Sequence, residues 1–378
     1  MTPTSLFFFG SLRDPALLQI VLGRPVDDAN VQTAEAPDKI ALNFAEEAYP
    51  YLADRPGQSA AGVVLTGLTP IDLARVEYYE EAEYGLAPIR VETANGPVQT
   101  HYFLATDMLA QTDAPWDFAA WRAEERPVAL EAAAELMALF GQVSAEDSVP
   151  LWHGIMIRAR MRARAKAETP VTGRLRAKRG PTDVITERID RPYMRYFAIE
   201  EHILRHRRFD GGLSPVIQRT ALTSGDAVTV LPYDPATGQV MLIEQFRAPM
   251  HARGDACPWG IEVIAGRIDK ETDAEACARR EALEEGGLTL GPMETIARYY
   301  SSPGFAAEHL TSYVGQADLS DTGGVFGVAH EDEDIRAFTV PLDEALAAVA
   351  SGEINNGPAI LSLLWLQSNR VRLDTDWG

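Results

Sequence analysis

Residues 266–288, GRIDKETDAEACARREALEEGGL, place three glutamates, Glu281, Glu284 and Glu285, within one helical turn. Side chains three and four apart are neighbours on a helix, so all three carboxylates should face roughly one way. Two carboxylates ~5 Å apart at an effective dielectric of ~20 repel by roughly 3 kcal/mol. A solvated helix face is one explanation, because Glu forms helices well and the chain holds 55 Asp and Glu against 34 Lys and Arg. The other is a divalent cation: Mg²⁺ is held by a few carboxylates together with substrate phosphates. The residues around the cluster decide between the two.

The chain has 378 residues, 46% hydrophobic and 24% charged, and a formal net charge of −21. That length favours two ordinary domains. The negative balance argues against nucleic acid as a partner, since phosphate contacts need Lys and Arg. A local exception is MIRARMRARAKAE, where Arg158, Arg160, Arg162, Arg164 and Lys166 fall at every second position. On a helix this spacing spreads charge around the circumference, so a solvated basic connector is expected. No apolar run approaches a membrane span, and the early LFFF lacks the basic flank of a signal peptide. Cys257 and Cys277 alone suggest a reducing cytoplasm and two packing residues, not a disulfide framework.

The elements that must position the glutamates read as follows. The first half contains short strand-like pieces (SLFFFGSL, AAGVVLTGL, PIRVETANGPVQTHYFLA) and a helix-period stretch, RPVALEAAAELMALFGQV. ETPVTGRLRAKRGPTDV has the Gly and Pro punctuation of a linker. In the second half, DAVTVLPYD and GQVMLIEQFR flank a turn at PATG, and WGIEVIAG is a further strand ending where the glutamate motif begins. DAEACARREALEEG is helical; IARYYS, LTSYVGQAD and IRAFTV are strands; PLDEALAAVASGE and PAILSLLWLQSNR are helices. This mixture predicts layered α/β (α+β) architecture. The expected divisions are residues 1–155, a helical basic connector at 156–180, and 181–378.

The motif resembles the Nudix box, G-x5-E-x7-R-E-U-x-E-E-x-G-U, where U is apolar. Gly266, Arg280, Glu281, Ala282, Glu284, Glu285, Gly287 and Leu288 stand in register; Thr272 replaces the first glutamate, with Glu271 one place off. The resemblance implies an α/β/α sandwich with a mixed sheet and Mg²⁺-dependent diphosphate hydrolysis, with Mn²⁺ as the alternative ion. It assigns metal ligation to the Ala265 carbonyl and to Glu281, Glu284 and Glu285, with Arg280 bracing a carboxylate and Glu285 also catalytic. Pro303, 15 residues after Leu288, and the segments MLIEQFR, PWGIEVIAG, HEDEDIR and INNGPAILSLLWLQ are similar to the ADP-ribose pyrophosphatase subfamily. That likeness implies phosphate or ribose contacts from Arg219 and Arg247, sugar contacts from Glu262 and Glu308, and adenine stacking by Tyr196. Glu331 best matches the loop glutamate that activates water, with Glu333 in the same loop. A nucleoside diphosphate substrate and a homodimer are implied. Another nucleoside diphosphate sugar, NADH, or a non-hydrolysing ADP-ribose sensor are the alternatives. The second half also resembles tellurite-resistance Nudix proteins, a phenotype that names no reaction.

FFFGSLRDPALL resembles the opening of γ-glutamylcyclotransferase-like domains, small barrels with helices, whose hallmark is Tyr-Gly-Ser/Thr-Leu. Phe9, Gly10, Ser11 and Leu12 occupy those places. Exposed N–H groups in such a turn can hold a carboxylate. VEYYEEAEYGLAPIRVET is similar to a second family segment and puts Glu80 at the acid/base position, followed by Tyr84. The reaction needs one carboxyl group to take a proton from the attacking amine and return one to the leaving amine. Phe9 in place of tyrosine and Glu81 in place of glycine leave an inactive relative as the alternative.

Overall fold

The structure, a computed structural model, describes residues 4–45, 49–80, 84–105, 110–168, 175–269, 273–328 and 333–378. The chain forms two compact units, Met1–Leu175 and Arg176–Gly378.

The first unit contains β1 (Ser5–Phe8), α1 (Pro15–Leu22), β2 (Val31–Phe44), β3 (Pro50–Thr66), α2 (Pro70–Glu80), β4 (Tyr84–Thr93), β5 (Gly96–Ala105) and β6 (Gln111–Pro115). Four helices follow: α3 (Phe118–Glu124), α4 (Arg126–Met137), α5 (Ala145–Ser148) and α6 (Trp152–Ala167). The strand order β3-β1-β5-β4-β2 closes through a β2–β3 pairing, giving a five-strand barrel with β6 added beside β2. Its interior is apolar: Phe7, Phe9, Leu52, Val64, Ile89, Val91 and Tyr102 pack together. Closure leaves these barrel strands without a free edge, and alternation sends every second side chain inward.

The basic stretch departs from the expected solvated connector. It forms α6, which packs on α4, and Arg158 is 1% exposed. The reason is Glu135 on α4, equally buried, which accepts from Arg158 Nε at 2.7 Å and also pairs with Arg162. Two guanidiniums offset the desolvation of one carboxylate, which alone would be costly to bury.

The second unit opens with a three-stranded antiparallel sheet of β7 (Val184–Met194), β8 (Ala198–His206) and β9 (Ile217–Thr223). The main sheet comprises β10 (Ala227–Asp234), β11 (Gln239–Phe246), β12 (Trp259–Glu262), β13 (Ile264–Arg267), β14 (Met293–Tyr300), β15 (His309–Gln316), β16 (Gly324–Phe326) and β17 (Ile335–Pro341). Between and after them lie α7 (Ala248–Arg253), α8 (Ala274–Gly286), α9 (Leu342–Ser351) and α10 (Gly357–Trp377). The sheet is mixed: β10 runs parallel to β15 and antiparallel to β11 and β13. Alternate residues of its central strands feed opposite cores. Val228, Val230, Met241 and Ile243 meet Cys277, Ala278 and Ala282 of α8. Leu231, Tyr233, Val240 and Leu242 meet α9 and α10 through Leu342, Ala359, Leu363 and Leu366. The result is the α/β/α sandwich the sequence implied.

WGIEVIAG is two strands, not one. Val263, 1% exposed, separates β12, which pairs with β11, from β13, which pairs with β10. The chain changes neighbours at that residue and so delivers Ala265 and Gly266 to the foot of α8.

Candidate functional site

The α8 N-terminus is fixed by Asp273, whose carboxylate accepts from the Glu275 N–H at 3.1 Å, and the helix ends in left-handed Gly287. Between these caps, Glu281 and Glu285 lie one turn apart, facing β13, and are 9% and 3% exposed. Glu285 Oε2 accepts the Ala265 N–H at 3.0 Å. A Cβ on Gly266 would overlap the Glu281 carboxyl, so only glycine admits this close approach. The glycine of the motif and its glutamate are thus two halves of one steric requirement.

Glu284 stands at the rim and takes a hydrogen bond from Arg280 at 2.6 Å, while Arg280 also pairs with Glu281 at 2.9 Å. The three carboxylates therefore do not converge equally. Among the described residues, no three His, Cys, Asp or Glu side chains are placed to hold a metal ion as they stand. Glu333, just before β17, accepts the Val328 N–H at 3.2 Å, and its charge acts on both Glu281 and Glu285. Burial pushes Glu281 up to about 7, opposed by Arg280 and reinforced by Glu284 and Glu333. Burial likewise pushes Glu285 up to about 8; the Ala265 N–H opposes, and Glu281 and Glu333 add to it. Burial and mutual repulsion therefore favour the protonated form of both carboxyls.

Arg247 makes a bidentate pair with Glu262, at 2.8 and 2.9 Å. Burial works against its charge, but the hydrogen bonds and charge of Glu262, with Glu285 adding, prevail and raise its pKa. Tyr196, 62% exposed, sits between β7 and β8 and lies under the Arg267 guanidinium, 4.0 Å from ring centre to Cζ. The structure thus gathers Glu281, Glu285, Glu333, Arg247, Glu262 and Tyr196 around the box. Arg267, on β13 beside Gly266, was not singled out in the sequence; a lone basic residue in the apolar run VIAGRI was its available signal.

The remaining candidates have these surroundings. Arg219 is exposed on β9 and donates to the Gln218 carbonyl at 2.8 Å. Glu308 is half-buried and its charge acts on Tyr299. Glu331 and Thr272 lie outside the described residues.

In the first unit, Gly10 to Leu12 form the turn after β1, with the Arg13 N–H donating to the Gly10 carbonyl at 3.1 Å. Leu12 is buried, and the Pro50 ring sits 3.1 Å from where a Gly10 Cβ would lie. Phe9 is 8% exposed, its ring edge-on to Tyr102 in the barrel core. Glu80 is half-buried at the end of α2.

Comparison with known proteins agrees with both halves. Residues 223–360 match the NUDIX domain, and residues 6–123 match the model described as Gamma-glutamyl cyclotransferase, AIG2-like. ADP-ribose pyrophosphatase of Escherichia coli (strain K12) is 34% identical over 186 residues, 49% of this chain and 88% of that relative. The chain belongs to the Nudix family. The ADP-ribose pyrophosphatase of Haemophilus influenzae is also 34% identical, over 49% of this chain and 86% of its own. The GDP-mannose pyrophosphatase of Pectobacterium atrosepticum is 33% identical, over 48% and 92%. This Nudix protein therefore carries a diphosphatase domain behind a γ-glutamyl cyclotransferase-like barrel. Among its described residues no helix is long and apolar enough to cross a membrane.

Proposed function

We propose that the second unit hydrolyses ADP-ribose to AMP and ribose 5-phosphate with Mg²⁺, Mn²⁺ being the alternative ion, as a cytoplasmic homodimer. The observation that carries this reading is the pair of buried carboxylates, Glu281 and Glu285, pressed against Gly266 and Ala265. All donors are hard oxygens, which suits Mg²⁺, and two desolvated acids one turn apart gain most from a divalent cation. Glu281, Glu284, Glu285 and the Ala265 carbonyl are the residues to hold it, Glu284 turning from Arg280 to do so. A bound Mg²⁺ supplies neutralisation of the diphosphate and Lewis acidity at phosphorus. Glu333, beside the box, and Glu331 of the same loop are the candidates to take the proton from the attacking water as one P–O bond of the diphosphate breaks. Arg247 and Glu262 orient the ribose or phosphate, and Tyr196 offers a ring face to adenine.

The similarity to ADP-ribose pyrophosphatases of E. coli and H. influenzae supports ADP-ribose as substrate. The similarity to GDP-mannose pyrophosphatases supports a second reading, another nucleoside diphosphate sugar. Turnover of ADP-ribose, GDP-mannose, other nucleotide sugars and NADH, measured side by side with Mg²⁺, tests both. ADP-ribose should give the highest kcat/KM; preference for GDP-mannose would establish the second reading, and no turnover of any would refute both. For the first unit two readings stand: Glu80 acting as acid and base on a γ-glutamyl amine, or an inactive relative. Phe9, packed in the barrel core where the family has tyrosine, favours an inactive relative.

A further inference from the structure

The arginines nearest the box are mostly committed. Arg247 is bidentate to Glu262, and Arg280 bridges Glu281 and Glu284. Arg267 differs: among the described residues it has no carboxylate partner, and its guanidinium lies over the Tyr196 ring. Alternation along β13 turns its side chain to the face opposite Gly266, away from Glu281. It still borders the site, because its strand carries the Ala265 N–H bonded to Glu285, and Tyr196 lies within electrostatic reach of Arg247. Tyr196 thus has the Arg267 guanidinium over its ring and lies within electrostatic reach of Arg247, which is already paired with Glu262.

Charge decides what Arg267 is for. The acidic side chains Glu281, Glu285 and Glu333 lie within electrostatic reach of one another, and Arg247 is already paired with Glu262. A diphosphate entering this site needs an uncommitted cation. Stacking on an exposed tyrosine is a weak interaction, so it holds the guanidinium in place without competing seriously with an anion. The planar fork matches two phosphate oxygens.

We propose that Arg267 is a substrate-positioning residue that grips a phosphate of the sugar nucleotide, held ready by Tyr196. The inference rests on the proposed hydrolysis of sugar nucleotides at this box, and binding of the product halves tests it separately from turnover. The experiment compares the full chain with Arg267→Met and Arg267→Lys. It measures calorimetric binding of AMP, ribose 5-phosphate and adenosine, and KM and kcat on the best substrate of the parent. Arg267→Met should weaken AMP or ribose 5-phosphate ~10–100-fold, the scale of a lost hydrogen bond to a charged group, and leave adenosine unchanged. The product that loses affinity identifies the half whose phosphate is held. KM should rise by a similar factor with kcat nearly constant, and Arg267→Lys should restore part of the loss. Equal weakening of adenosine and AMP, or unchanged binding of both phosphates, would overturn the proposal. A parent that binds the phosphates through Arg267 but hydrolyses no sugar nucleotide would refute the functional reading alone.

Discussion

Glu285 is the residue on which the reading of the box turns. Its carboxylate is buried, shares a helix face with Glu281, and has only the Ala265 N–H as its described hydrogen-bond donor. Glu285→Gln keeps an oxygen for that N–H and removes the carboxyl that would ionise to hold a cation. Without metal the variant should melt no lower than the parent, and higher once the pH passes about 8, where the parent's Glu285 must ionise in a buried position beside Glu281 and Glu333. Its hydrolysis rate at saturating Mg²⁺ should drop at least ~100-fold, about 3 kcal/mol of transition-state stabilisation. Parent-like turnover would return the cluster to an acidic helix face. The spacing of Glu281, Glu284 and Glu285 was legible because a motif is a local property of the chain. Their unequal roles were not. Glu284 is drawn to the rim by Arg280, and Glu281 is drawn inward only because Gly266, 15 positions earlier, leaves room on a different element. Arg267 was passed over because its partner, Tyr196, arrives from the separate β7–β8 turn.

At the scale of elements, the regular strands and helices followed from periodicity, and misreadings occurred where tertiary partners decide. The alternating basic run does spread around a helix, but Glu135 on α4 converts one face into a buried ion pair that spacing alone cannot reveal. WGIEVIAG reads as one continuous strand, its single charged residue being Glu262, so nothing local marks Val263 as the point of exchange between β11 and β10. The junction of β13 and α8 carries a pH signature. Glu281 and Glu285, pushed up to about 7 and about 8, keep protons in the folded state that the unfolded chain releases near 4.5. Between those values the folded state binds more protons, so stability falls as pH rises through the window. The metal-free protein should therefore lose melting temperature in its Nudix transition from pH 5 to pH 8, and Glu285→Gln should flatten that slope. Added Mg²⁺ should raise the transition more at pH 8 than at pH 5, because the ion competes with the retained protons. Calorimetric scans in EDTA and in Mg²⁺ read all three effects; a slope identical in parent and variant would mean that other groups control it.

At the scale of the molecule, the question is whether the two halves need one another. Residues 223–360 carry the Nudix match and lie inside the second compact unit, as do all the residues gathered around the box. An aligned region equal to 49% of this chain accounts for 88% of the E. coli relative, which leaves that relative no room for a counterpart of the barrel. Each unit also has its own core: the barrel closes on Phe7, Phe9 and Tyr102, and the sandwich packs on both faces of its sheet. A unit with its own core can fold alone. Residues 176–378, expressed separately, should thus melt cooperatively and hydrolyse ADP-ribose with the kcat/KM of the whole chain. A fragment that folds, by circular dichroism and a sharp thermal transition, yet turns over no substrate would mean that the barrel supplies a residue or an orientation to the diphosphatase site. A fragment with equal activity would leave the barrel a role of its own, to be sought on γ-glutamyl amines with Glu80→Gln as the control.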